Sequence, residues 1–220
     1  MFPLSDSIKA RRLPFINIIL IVSTVYVFIQ QLITSNPEFL IQKYALIPAQ
    51  VSFGNFLTLA PFTTAIFLHG GFLHIISNMW FLWVFGDNVE GYTGWFFYPL
   101  IYFLSGIIGN FAQYILMPSF SVPMLGASGA IAGVLGAYYV LFPKSKIRTL
   151  VPVFGFPAIM NISAPFMLGY WFILQLISGA VSLPFSSEIG GIAFFAHVGG
   201  FATGAIFGQI LKGGVEEELG

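Results

Sequence analysis

The sequence predicts an all-α membrane protein, a bundle of six transmembrane helices, and three observations predict it. Hydrophobic residues make up 57% of the 220 and charged residues only 7%, against roughly 25% charged in soluble domains. The apolar residues gather in six runs, at 14–33, 69–85, 95–117, 127–142, 164–183 and 192–211, most of them near the ~20 residues that cross a bilayer core. Seven of the eight basic residues, Lys9, Arg11, Arg12, Lys144, Lys146, Arg148 and Lys212, then flank the runs on one side, with Lys43 the exception. The positive-inside rule assigns that side to the cytoplasm together with both termini. One membrane domain over 1–220 is expected, with a short cytoplasmic N-terminal segment at 1–13 and an acidic C-terminal tail at 212–220. The absence of cysteine excludes disulfides, thiolate metal sites and a cysteine nucleophile.

The first run follows a basic patch, but no small-x-small cleavage pattern follows it before Asn36, so it reads as an uncleaved anchor. The connection at 35–68 contains Pro37, Pro48, Gly54 and Pro61 yet is rich in Phe, Leu and Ile. A stretch that apolar belongs in the membrane interface or against the bundle. The second run carries His74 and Asn78 and ends at a turn with Asp87 and Glu90. Pro118 and Pro123 stand in a non-helical approach to the fourth run. That run has 16 residues, about 24 Å of helix against an apolar thickness of about 30 Å. Its helix is therefore expected to start below the outer surface, where irregular backbone is tolerated only beside protein or a water-filled cavity. The basic trio Lys144, Lys146 and Arg148 reads as a cytoplasmic turn, and Glu188 lies in the outer loop before the sixth run.

Small residues recur in the fourth run at Gly126, Gly129, Ala132, Gly133, Gly136 and Ala137, and in the sixth at Gly200, Gly204 and Gly208. Four-residue spacing of small residues lets helix backbones approach closely in lipid, so Gly129 and Gly133 are expected to pack on Gly200 and Gly204. Plain packing explains these glycines by themselves. The same contact would also bring the Ser128 hydroxyl within hydrogen-bond reach of His197.

With the N-terminus inside, the second, fourth and sixth runs all enter from the outside, and His74, Asn78, Ser128 and His197 fall in their outer halves. Strongly polar groups inside a membrane are costly and mark function, although hydrogen bonding between helices is the plain alternative for His74 and Asn78. Peptide hydrolysis needs an acid-base partner for the serine and donors for the developing oxyanion. Ser128 with His197 supplies the first. Asn78, His74 and the Ser128 backbone N–H at a helix start supply the second. No carboxylate is expected near the histidine, so the arrangement reads as a Ser-His dyad. No cofactor, metal or nucleic acid is expected; the partners are the lipid bilayer and transmembrane segments of other proteins. His69 and His74 are five apart without a zinc-binding pattern, and His69 reads as structural, holding the long loop or binding lipid or water.

The set His69-Gly-Gly-Phe-Leu-His74-Ile-Ile-Ser-Asn78, then Gly126-Ala-Ser128-Gly129, then Ala196-His197-Val-Gly199-Gly200 resembles the rhomboid family of intramembrane serine proteases. The resemblance runs from the first apolar run to the sixth. It implies a six-helix rhomboid bundle with a short central fourth helix, Ser128 as nucleophile, His197 as base and acid, and His74 and Asn78 as oxyanion donors. It further implies that the fifth helix and the loop at 181–191 gate substrate entry. The substrates it implies are transmembrane segments cut near the outer boundary, preferably where the helix unwinds easily and the residue before the cut is small. The implied location is a cell membrane, with the site opening to the outside. Some members carry an aromatic four residues after the nucleophile that packs on the histidine; here that position is Ala132, so support for His197 must come from elsewhere. The Trp-Arg pair that some members carry in the first long loop is absent. Two other classes fit parts of the sequence. A small channel or transporter would use broken helices and intramembrane histidines, and a non-catalytic rhomboid-like protein would bind membrane clients.

Overall fold

The computed structural model describes residues 1–8, 12–153, 155–183 and 193–218. Lys9, Arg11, Glu188 and most of the 181–191 loop lie outside the described residues. In chain order the elements are β1 (Phe2–Asp6), α1 (Phe15–Ile33), α2 (Pro37–Tyr44), α3 (Pro61–Thr64), α4 (Phe72–Leu116), α5 (Ser128–Leu141), β2 (Lys146–Val153), β3 (Phe156–Ser163), α6 (Ala164–Ser182) and α7 (Phe194–Glu218). The chain is mostly helical. Four of its helices, α1, α4, α6 and the 194–213 part of α7, are long and apolar enough to cross a membrane.

The 45 residues of α4 would reach about 68 Å if straight, more than twice the bilayer core. Gly94 interrupts them with φ 82° and ψ 167°, a backbone state that glycine enters without a Cβ penalty. The limbs at 72–93 and 95–116 then fold back on one another, as Asn17 of α1 records. Its amide donates to the Leu82 carbonyl at 3.1 Å, and its oxygen accepts from the Tyr98 hydroxyl at 2.6 Å. Residues 82 and 98 would stand about 24 Å apart on a straight helix. At the same end the Glu90 carboxylate accepts the Ile16 and Asn17 backbone N–H groups at 3.0 and 2.7 Å. Pro14 provides no side-chain cap for α1, so Glu90 satisfies N–H groups that a helix start leaves open.

α5 is short, 14 residues or about 21 Å, and every residue from Gly129 to Tyr138 is buried. It meets α7 backbone to backbone. A Cβ on Gly204 would run into the Gly133 carbonyl, one on Gly200 into the Gly129 carbonyl, and one on Gly136 into the Phe201 carbonyl. The second limb of α4 closes the other side, where a Cβ on Gly109 would strike the Ala196 carbonyl. Dispersion across such contacts substitutes for the hydrophobic drive that lipid does not provide.

The structure departs from the sequence reading in three places. First, it is not all-α: β1, β2 and β3 form a three-stranded antiparallel sheet in that order. β2 buries Ile147, Thr149 and Val151 and exposes Lys146, Arg148 and Leu150, the two-residue period of a strand. The basic residues read as a turn are largely the outward face of that strand. Second, the expected N-terminal segment at 1–13 carries a strand, β1, that docks on the bundle. Asp6 accepts from the Tyr138 hydroxyl and the Asn88 amide, each at 2.7 Å, the Trp80 indole donates to the Pro3 carbonyl, and Met1 lines a small cavity with Phe81 of α4 and Trp171 of α6. Third, residues 212–218 of the expected tail continue α7 despite Gly213 and Gly214; Glu216 to Glu218 are good helix formers. The long connection at 35–68 folds into α2, α3 and short 3-10 turns and exposes Phe39, Phe53, Phe56 and Leu57, the apolar face an interfacial segment requires.

Candidate active site

Gly126, φ 126°, turns the chain into α5, and its N–H donates to the Ala65 carbonyl at 2.9 Å. L side chains rarely adopt that φ, and a Cβ there would strike the His74 ring and approach the Asn78 amide nitrogen. The glycine therefore lets the backbone lie directly on those two side chains. Ser128 follows as the first residue of α5, where backbone N–H groups have no partner within the helix.

His197 stands in the first turn of α7. Its Nε2 lies 2.7 Å from Ser128 Oγ, an approach that the close glycine packing of the two helices allows. Its other nitrogen, Nδ1, lies 2.8 Å from the Oε1 of Gln175 on α6. An amide oxygen only accepts, so Nδ1 carries the proton and Nε2 is left to accept from the serine hydroxyl. The Trp171 ring of α6 lies against the imidazole, with centroids 5.8 Å apart and planes 33° apart. Both groups were missed in the sequence. The signal was there: Gln175 is the one amide in an otherwise apolar helix, and Trp171 lies one turn before it on the same face. Trp171, together with Ala132, Ser128 and His197, lines a side pocket, so the aromatic that Ala132 does not supply comes from α6.

His74, Asn78, Ser128 and His197 line one cavity of about 300 Å³, along with Ser77, Met124 and Leu125. His74 Nδ1 accepts from the Gly70 N–H at 3.4 Å, which leaves Nε2–H as its donor. The Asn78 amide nitrogen bonds His69 Nε2 at 2.9 Å, and His69 Nδ1 lies 3.3 Å from the Phe67 carbonyl. His69 Nε2 is thus an acceptor that fixes which end of the Asn78 amide is nitrogen, with the second N–H of that nitrogen remaining. His69 is itself buried, its backbone clasped by the Gln31 side chain of α1 at 3.0 and 3.2 Å. This burial and clasp fit the structural use that the sequence reading gave it. Among the described residues no three of His, Cys, Asp or Glu come together as a metal-ligand group.

The cavity therefore joins a hydroxyl, an imidazole acceptor and N–H donors, a set suited to acyl transfer. Comparison with known proteins identifies the family. Residues 57–213 match the Rhomboid domain. The chain is 35% identical over 159 residues to the rhomboid protease GluP of Bacillus subtilis (strain 168), covering 71% of this chain and 27% of that protein. It is 32% identical over 149 residues to the mitochondrial RHOMBOID-like protein 6 of Arabidopsis thaliana, covering 67% of this chain and 42% of that one. It is 31% identical over 158 residues to the mitochondrial rhomboid protein 1 of Saccharomyces cerevisiae, covering 69% and 42%. The chain thus spans less than half the length of these relatives. With the Rhomboid domain matched over most of its length, this integral multi-pass membrane protein belongs to the rhomboid family.

Proposed function

We propose that the chain is an intramembrane serine endopeptidase that cuts transmembrane segments of other membrane proteins near the outer membrane boundary. The observation that carries this reading is the 2.7 Å approach of His197 Nε2 to Ser128 Oγ at the wall of a cavity. His197 takes the hydroxyl proton as Ser128 Oγ attacks the scissile carbonyl, and returns it to the leaving amine; water then releases the acyl group by the reverse sequence. The Ser128 backbone N–H, the Asn78 amide and His74 Nε2–H stabilise the oxyanion.

Six crossings are the reading of the fold that best fits this chemistry: α1, the two limbs of α4, the short central α5, α6 and α7, in one domain over 1–220. The return of α4 at Gly94 and the burial of α5 support it. Lys144, Lys146, Arg148 and Arg12 support a reading in which the sheet end is cytoplasmic, the membrane is a cell membrane and the cavity opens to the outside. An α5 of about 21 Å then begins below the outer surface, and a substrate segment must unwind to offer a free peptide bond there.

A fluorophosphonate probe with mass mapping of the labelled residue tests the assignment. Labelling at Ser128 that is lost in His197→Ala is the expected result. A channel or a non-catalytic client binder gives none, and a labelled residue elsewhere in the chain removes the dyad.

A further inference from the structure

We propose that Gln175 of α6 is a positioning residue for the catalytic base, and that α6 is thereby part of the active site. The proposal rests on the Ser128–His197 reading. A histidine paired with a serine alone can carry its proton on either nitrogen and can flip its ring, and only one of those arrangements presents an unprotonated Nε2 to the hydroxyl. Something must hold Nδ1–H. The Gln175 oxygen at 2.8 Å does so, while the Trp171 ring one turn earlier limits rotation of the imidazole. An intramembrane amide costs desolvation unless its hydrogen bond is made, and nothing about packing α6 requires one, since Ile173, Leu174, Leu176 and Ile177 around it are exposed hydrophobics.

An amide differs from the carboxylate of a catalytic triad in one respect that sets the size of the effect. It orients the imidazole but brings no charge to balance the imidazolium, so its loss costs less than the roughly 10,000-fold that follows a wrong tautomer in a triad. The position of the amide also has a consequence. α6 buries only Ala164, Met167, Leu168 and Gly179, whereas α5 and α7 are locked by glycines. A displacement of α6 away from α7 would leave the packed α5 and α7 backbones in place and remove the acceptor at Nδ1.

The test compares Gln175→Leu and Gln175→Glu, reconstituted in liposomes with a reporter transmembrane substrate. Loss of the acceptor in Gln175→Leu is expected to lower kcat by about 10- to 100-fold with KM within about twofold, because orientation and not substrate binding is lost. Gln175→Glu keeps an oxygen at the same reach and is expected to recover most of that loss, although a buried carboxyl would be worse than leucine for mere packing. The rate of Ser128 labelling by a fluorophosphonate should follow the same order. Wild-type kcat in Gln175→Leu, or Glu no better than Leu, overturns the proposal. If the leucine variant does not fold, Gln175→Met takes its place with the same expectations. Ser128→Ala is measured alongside: continued cleavage there would remove the dyad reading itself, whereas a dead Ser128→Ala beside a fully active Gln175→Leu removes only the role of Gln175.

Discussion

α5 and α7 meet through their backbones, and α6 meets them through side chains. On the first side Gly129, Gly133 and Gly136 face Gly200, Phe201 and Gly204 so closely that no Cβ fits between several of them. On the second the contacts are the Trp171 ring, the Gln175 amide and the Phe172–Phe201 stack at 4.7 Å. Packed backbones have no rotamers to exchange, so a distance set across them is fixed, while side-chain contacts can be made and broken. On the proposed reading the nucleophile and the base sit on the rigid pair, and the side chain that would orient the base sits on the looser helix. The approach of the two helix backbones and the orientation of the His197 ring are thereby set by different contacts.

The largest effect should come from the rigid side. Ser128→Ala or His197→Ala removes one end of the 2.7 Å bond and should lower cleavage of a reporter substrate by about 10,000-fold or more while thermal unfolding stays close to that of the parent. Persistent cleavage in either would separate the bond from the chemistry. The comparison is sharpened by two glycine substitutions. Gly204→Ala drives a methyl into the Gly133 carbonyl, where backbone must yield, and should cost about 1–3 kcal/mol or more of stability. Gly169→Ala on α6 meets only Tyr139, at 3.8 Å, and should be neutral or slightly stabilising, since alanine is the better helix former by up to about 1 kcal/mol. Equal midpoints for the two variants in thermal unfolding would erase the distinction between the two sides.

Asn78→Ala probes a third region, the first limb of α4, and should slow cleavage by about 10- to 1000-fold with little change in KM, the loss of one oxyanion donor. The expected effect lies below that of the dyad because the Ser128 N–H and His74 remain. A change confined to KM would point to substrate binding instead.

Legibility in the sequence divides along the same line. The glycines at four-residue spacing, the short fourth run and the polar residues at one depth were all readable, because each is a departure from an apolar background. The sheet was not. Lys144, Lys146 and Arg148 alternate with Ser145 and Ile147, a two-residue period that charge made look like a turn, and its pairing with residues 2–6 spans most of the chain. Gln175 escaped for a different reason. A single amide in an apolar helix has no partner until tertiary structure brings α7 beside it, and only Ala132, small where an aromatic would support the histidine, hinted that support came from another helix.

The smallest expected effect lies farthest from the cavity, where β1 docks on the bundle through Asp6. Burial raises the Asp6 carboxyl above its ordinary value of 3.8, against the lowering effect of hydrogen bonds from Tyr138, Ile8 and Asn88. A raised value means that the folded chain holds this proton more tightly than the unfolded chain. Its contribution is therefore complete below pH 3.8 and is lost as pH rises through the raised value. Asp6→Asn keeps an oxygen for Tyr138 and Asn88, both of which bond the same carboxylate oxygen, and it cannot ionise. Thermal midpoints of the two proteins, measured from acid to neutral pH, should thus diverge in one direction, with the parent losing ground to Asp6→Asn as pH climbs. The difference is small because Asp6 is half exposed and solvent screens its charge. Catalysis should be little affected, since Tyr138, the α5 residue that Asp6 bonds, lies about 15 Å along the helix from Ser128. A pH-independent difference would mean that Asp6 carries the same charge in both states, and a loss of activity in Asp6→Asn would tie the sheet to the site more closely than its hydrogen bonds do.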